Sequence, residues 1–345
     1  MPGGMREPAA GDAPGHRAAG AGEDHERFST NGRRPRCHHG GMSTIPNPSP
    51  AASRVRPLRG ILLVLGAGML WGTTGTAQSF SDGALSPYWV GALRLGVASL
   101  FFLAYAGSIN GLPHLGRQLA GLDWRRTAWA GACIAGYNLA FFAGVKATGV
   151  AVGTALAIGS GPIWAGLLQL AGGARPGPGW WTGTLLAVGG GVLLVFGRGG
   201  DIQADPLGIV LCLAAGLAYA LYTLLNKRLV DRSAPAVTTL GVFLVSALLA
   251  LPAAGLWAGP LQITASGWLM VGFLGIASTG IAYLLFSTGL RGISAATGVS
   301  LALMEPVTAF LLALAVVGER PGALAYAGLA ALLAGLAIVI RAETR

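Results

Sequence analysis

The sequence predicts an all-α integral membrane protein of about ten transmembrane helices in two inverted five-helix repeats. Three observations carry that prediction. Charged residues make up only 10% of the 345 residues, against 53% hydrophobic; a soluble domain carries about 25% charged residues, so lipid must solvate most of this chain. Ten runs of 18 or more nearly uncharged residues follow one another, each long enough at ~1.5 Å per residue to cross a hydrocarbon core of ~30 Å. The second five of these runs repeat the first five.

Residues 1–55 precede the runs. They are rich in Gly, Ala, Pro and Arg without hydrophobic periodicity, and are expected to form a disordered cytoplasmic tail. No apolar h-region marks a secretory signal there. Cys37, His38 and His39 follow Arg33, Arg34 and Arg36, but three such ligands without a partner cluster do not make a metal site, so no metal and no cofactor are expected. Met42 is an alternative start, since the stretch from it to Gly60 is a sufficient lead into the first run.

The runs lie near 60–80, 85–106, 127–145, 149–172, 179–198, 207–226, 236–257, 266–288, 294–317 and 323–341. The third, fourth and eighth blur into their neighbours, which makes nine the smaller count the sequence allows. With the N-terminal side inside, thirteen Lys/Arg fall on cytoplasmic segments, among them Arg54, Arg56, Arg59, Arg117, Arg175, Lys227, Arg291 and Arg341. Three fall outside, Lys146, Arg198 and Arg320. The positive-inside rule then puts both termini in the cytoplasm, and the cell (plasma) membrane is the expected location. The formal charge of +10 is topology rather than a nucleic-acid surface. Cys133 and Cys212 fall inside runs and Cys37 in the tail, so no disulfide framework is implied.

The repeat is visible residue by residue. Gly60 to Thr73, GILLVLGAGMLWGT, matches Gly208 to Leu221, GIVLCLAAGLAYAL, at an offset of 148, with Trp71 against Tyr219. Leu156 to Thr184 matches Leu301 to Leu329 at an offset of 145, with a one-residue shift around Pro162 and Pro306. Arg-Pro-Gly recurs at 175–177 and 320–322. An odd number of spans per copy turns the second copy over in the membrane, which is the inverted-repeat plan of secondary transporters with a binding site near the midplane.

GILLVLGAGMLWGTTGT from Gly60, the proline in the fourth run, and LMEPVTAFLLALAVVGERP before a glycine-rich last helix resemble the EamA-type branch of the drug/metabolite transporter superfamily. The resemblance covers about 57–342. It implies one EamA repeat over 57–199, a second over 207–342, and export or exchange of small polar metabolites, amino acids or drugs. One departure is Gly161 before the first copy's proline, so no acid there matches Glu305.

The runs hold one acid, Glu305, and one deeply placed base, Arg94. A charge at that depth costs roughly 2.5–3.5 kcal/mol on insertion scales, so something must offset it. Either the two pair and lock two helices together, or Glu305 lines a wet cavity and takes up a proton while Arg94 supports the fold or an anionic group. Ser294, Thr297, Glu305 and Thr308 share a helical face, following the helical period. Pro306 withdraws an N–H and frees the Ala302 carbonyl; Pro306 and Pro162 are the expected helix breaks.

A second face recurs. Trp71, Thr74 and Gln78 stand at i, i+3, i+7, and Tyr219, Tyr222 and Asn226 stand likewise. An aromatic wall with a polar middle suits stacking and hydrogen bonding to a small polar ligand. Tyr137 and Asn138 in the third run, with Thr279 and Tyr283 in the eighth, are weaker candidates, since such groups often bond a neighbouring helix instead. Gly68 to Gly72 and Gly216 to Ala220 allow close helix approach.

The expected activity is proton-coupled export by alternating access, with facilitative exchange or uptake as the alternative. An intramembrane enzyme is disfavoured because all five histidines lie outside the runs and only one buried acid is present. Zinc and aspartyl chemistry need more than that. A channel is disfavoured because the symmetry is internal and inverted. Expected partners are the lipid bilayer, a small polar or zwitterionic metabolite and the proton, with pairing into a homodimer left open.

Overall fold

The computed structural model describes residues 50–81, 85–197 and 205–345, with side chains throughout except at 50–56, 150 and 151. The expectations for residues 1–49, including Met42 and the group at Cys37, lie outside the described residues. Among the described residues, ten helices are long and apolar enough to cross a membrane: Pro57–Ser79, Pro87–Asn110, Trp124–Thr148, Val152–Ala171, Pro178–Phe196, Pro206–Val230, Pro235–Trp257, Ala265–Leu290, Ala295–Val317 and Ala323–Thr344. They are called here the first to tenth spans. Leu100, Leu248 and Leu269 are 67%, 71% and 78% exposed, an apolar exterior suited to hydrocarbon rather than water.

Local chemistry fixes the ends. Pro87, Pro178, Pro206 and Pro235 open their helices, where the missing N–H would have no helical partner anyway. Asp205 accepts the Leu207 N–H at 2.9 Å and Thr264 accepts the Gly267 N–H at 3.2 Å, as N-caps do. The first helix begins at Pro50, inside the stretch expected to be disordered; Ala51 to Arg56 holds mostly good helix formers and no breaker before Pro57, so the span propagates backwards. A short helix, Leu112–Ala120, fills what the sequence suggests is a loop. Leu112, Leu115 and Leu119 give it one apolar face, and Leu115 is buried at 2%.

The packing obeys the inverted repeat. The fifth span packs on the tenth and the second on the seventh, each on its own copy. The remaining large contacts come in exchanged pairs: third with sixth as eighth with first, fourth with sixth as ninth with first, third with seventh as eighth with second. Close glycine contacts repeat the pattern. Gly60 meets Gly289 where the first and eighth spans touch, and Gly208 meets Gly144 where the sixth and third touch. Gly68 and Gly72 admit the ninth span as Gly216 admits the fourth.

These contacts also explain a helix defect. Gly131 packs on Val242 and Val245, and Gly275 on Arg94 and Val97, so Gly131 corresponds to Gly275 while Gly144 corresponds to Gly289. The third span takes 13 residues between those points and the eighth takes 14. The eighth span absorbs the extra residue as a π-helical stretch, Leu274–Ile281, the form an inserted residue takes in a helix.

The two prolines differ. The ninth span is interrupted at Ala302 and Leu303, just before Pro306, and the Ala302 carbonyl accepts the Glu305 N–H at 2.9 Å. The break expected at Pro162 is not formed, and the fourth span's helix continues over Val150–Ala171. A proline strains the residue before it in part through that residue's Cβ. Gly161 has none, and Glu305 does.

Candidate functional site

A cavity of about 440 Å³ lies between the halves, lined from the first to fourth, sixth, eighth and ninth spans. The ninth span delivers Glu305 into it just beyond the helix interruption. The Glu305 side chain makes no hydrogen bond or ion pair among the described residues. Arg94 enters from the second span. Its Nη2 donates to Asn138 Oδ1 at 2.9 Å, and Asn138 Nδ2 donates to the Ile134 carbonyl at 2.8 Å. That second bond fixes the amide with its oxygen toward the guanidinium. No ion pair joins Arg94 to Glu305 among the described residues, and Arg94 Nε has no hydrogen-bond partner.

Aromatic rings close the walls. Trp71 meets Tyr283 at 5.1 Å and Tyr219 at 6.2 Å between ring centroids, and Tyr137 meets Tyr219 at 5.6 Å. All four line the cavity. Trp71 Nε1 and Tyr219 Oη are buried without a partner; such groups cost about 1–3 kcal/mol each when left unsatisfied. Thr74 and Ser278 share a hydrogen bond of 2.7 Å between the first span and the π-helical stretch of the eighth. Gln78 Nε2 donates to the Thr74 carbonyl at 3.4 Å.

Of the residues the sequence singles out, Glu305, Arg94, Trp71, Thr74, Gln78, Tyr137, Tyr219 and Tyr283 line one cavity. Asn138 stands behind Arg94. Tyr222 and Asn226 lie outside the cavity and are 0% exposed, with Asn226 Nδ2 donating to Tyr222 Oη at 3.1 Å and to Ser287 Oγ at 3.0 Å. The supposed common face of Ser294, Thr297, Glu305 and Thr308 is split by the interruption of the ninth span. Ser294 and Thr297 bond Glu343 at the span's start, and Thr308 packs against Gly72. Ser278 and Phe142 also line the cavity. Nothing in the sequence distinguishes them from other small or aromatic residues of the spans, except that Ser278 neighbours Thr279.

The cavity runs to one end of the bundle. Gln78 and Pro87 line it at the facing ends of the first and second spans, and Val145 and Thr154 near those of the third and fourth. The offset of 148 carries Gln78 to Asn226, and the offset of 145 carries Phe142 to Ser287 and Val145 to Leu290. All three copies are sealed at 0% exposure. Equivalent positions are thus open in one repeat and closed in the other.

The model of the EamA-like transporter family matches residues 58–196 and again 206–341. The chain is 36% identical to the "Uncharacterized transporter YwfM" of Bacillus subtilis (strain 168), over 82% of this chain and 94% of that one. It is 30% identical to the "Uncharacterized protein PA1977" of Pseudomonas aeruginosa, over 66% of this chain and 78% of that one. A solved crystal structure shares the fold with a TM-score of 0.70 and 24% identity, covering 81% of this chain and 95% of that one. Two tandem family matches, ten apolar helices and a cavity between the halves identify the chain as a multi-pass membrane protein of the EamA-like transporter family, in the drug/metabolite transporter superfamily, that moves small molecules across a membrane.

Proposed function

We propose that the chain is a proton-coupled exporter of small zwitterionic metabolites, such as amino acids or drugs of that charge type, working by alternating access in the cell membrane with both termini cytoplasmic. The observation that carries this reading is one acid and one base, Glu305 and Arg94, facing one aromatic cavity without pairing with each other. Two unpaired charges at that depth are retained only where something else answers them. Arg94, oriented by Asn138, presents a guanidinium to a substrate carboxylate. Glu305 answers a substrate ammonium or a proton, but not both at once, and that exclusion is what couples the two fluxes. The rings of Trp71, Tyr137, Tyr219 and Tyr283 supply apolar and cation–π contact to the rest of the ligand, as aromatic faces do for ammonium groups.

In the orientation given by the positive-inside rule, the open end at Gln78 and Pro87 faces outward. Substrate would enter from the cytoplasm in the alternate state and leave through this cavity. The test is overexpression in a bacterial host, with amino acids and related metabolites quantified outside the cells, beside Glu305→Gln at equal expression. Accumulation of one zwitterion class that rises with external acidity and is lost in the variant is the expected result. Accumulation that survives the substitution would overturn proton coupling through Glu305 and leave facilitative exchange.

A further inference from the structure

A second cleft, of about 610 Å³, lies between the ends of the fourth, fifth, ninth and tenth spans. By chain direction this is the end of the bundle opposite Gln78 and Pro87. Arg175, Arg341 and Arg345 line it, with Gln169 and Trp180. None of the three guanidinium groups makes an ion pair or hydrogen bond among the described residues. Three arginines against one acid, Glu343, leave the lining net positive. The acid, Glu343, keeps its negative charge but is turned to the start of the ninth span. Its carboxylate accepts the Ser294 N–H at 2.7 Å, the Ser294 hydroxyl at 3.2 Å and the Thr297 hydroxyl. Trp180 is 4% exposed and its Nε1 has no partner.

We propose that this cleft binds a phosphate-bearing anion, and that the occupant is the headgroup of an anionic phospholipid. Guanidinium groups grip phosphate oxygens in pairs, and basic pockets between span ends on the cytoplasmic side are where lipid phosphates lie. The fifth and tenth spans leading away from the cleft carry exposed apolar side chains, Leu185 at 54% and Leu333 at 43%, which give acyl chains a surface. Because the lining comes from the fourth and fifth spans of one repeat and the ninth and tenth of the other, a bound headgroup ties the halves together at that end.

The test uses the full chain, delipidated in neutral detergent. It is titrated with phosphatidylglycerol, phosphatidylcholine and inorganic phosphate, and binding is read by native mass spectrometry. The variants are Arg175→Gln/Arg341→Gln in the cleft and Arg228→Gln/Arg232→Gln, exposed residues placed elsewhere by sequence. Both are checked for unchanged elution and melting temperature. Phosphatidylglycerol is expected to bind in preference to phosphatidylcholine. Its affinity should fall about thirtyfold in the cleft variant, from ~1 kcal/mol per arginine, and hardly change in the control. Binding of inorganic phosphate that depends on Arg175 and Arg341, without preference between the lipids, would overturn the lipid as occupant in favour of a free anion. Equal losses in the two variants, or equal binding of the two lipids with no phosphate binding, would overturn the site itself.

Discussion

Arg94 and Asn138 are 44 residues apart, and the bond between them at 2.9 Å is the contact that aims the guanidinium. Hydrogen bonds to charged groups are worth about 1.5–3 kcal/mol. Asn138→Leu should therefore raise the transport KM roughly 10- to 100-fold at a substrate concentration series in proteoliposomes. A role confined to helix packing would lower the melting temperature and leave KM in place, so both are measured. The two charges themselves are legible in the sequence, because an ionised group inside an apolar run demands an explanation wherever it points. Asn138 is legible as a polar residue only. Its task depends on a neighbour in another helix, and no local pattern encodes that pairing.

At the scale of elements, the seam between the fifth and tenth spans is built from glycines whose backbones touch. A Cβ on Gly190 would run into the Leu332 backbone nitrogen and the Gly328 carbonyl, while one on Gly189 would meet nothing. Gly190→Leu should cost at least ~1–3 kcal/mol by overpacking, and Gly189→Ala should stay within about 0.5 kcal/mol of the parent. Thermal unfolding in detergent checks both, and equal effects would contradict the seam. The π-helical stretch makes a second prediction. Deleting Ala277 restores the spacing of the third span, 13 residues, between Gly275 and Gly289. The eighth span should then form a regular helix that folds but pulls Ser278 away from Thr74, lowering transport more than stability. Spans were legible because a run of apolar residues of that length has few alternatives in water. The π-turn was not, since one extra residue in a helix shows only when its contacts are paired with those of its copy. Nor was the helix Leu112–Ala120, nine residues long and amphipathic, which falls below the length that marks a span.

For the whole molecule, the alternating access proposed above needs two arrangements of one architecture, and the asymmetry between the copies supports the reading that one of them is present. Gln78 borders the cavity while its copy Asn226 is buried and bonded to Tyr222 and Ser287. Sequence alone treats Trp71, Thr74, Gln78 and Tyr219, Tyr222, Asn226 as equals, because equivalent positions look alike whichever of them the fold opens to the cavity. If, in the proposed orientation, the Asn226 bonds hold the cytoplasmic end shut, Asn226→Ala removes both of them, at about 1 kcal/mol each. The equilibrium should then move up to about thirtyfold toward the opposite opening. The measurement is thiol labelling with a membrane-impermeant reagent, on a chain with Cys37, Cys133 and Cys212 replaced by Ala. Labelling of Gln78→Cys from outside should slow when Asn226→Ala is added, while Ser287→Cys should become reactive from the cytoplasmic side. Unchanged rates at both positions would mean that the Asn226 cluster is ordinary core, and that the closed end is held by the Gly60 and Gly289 backbone contact instead.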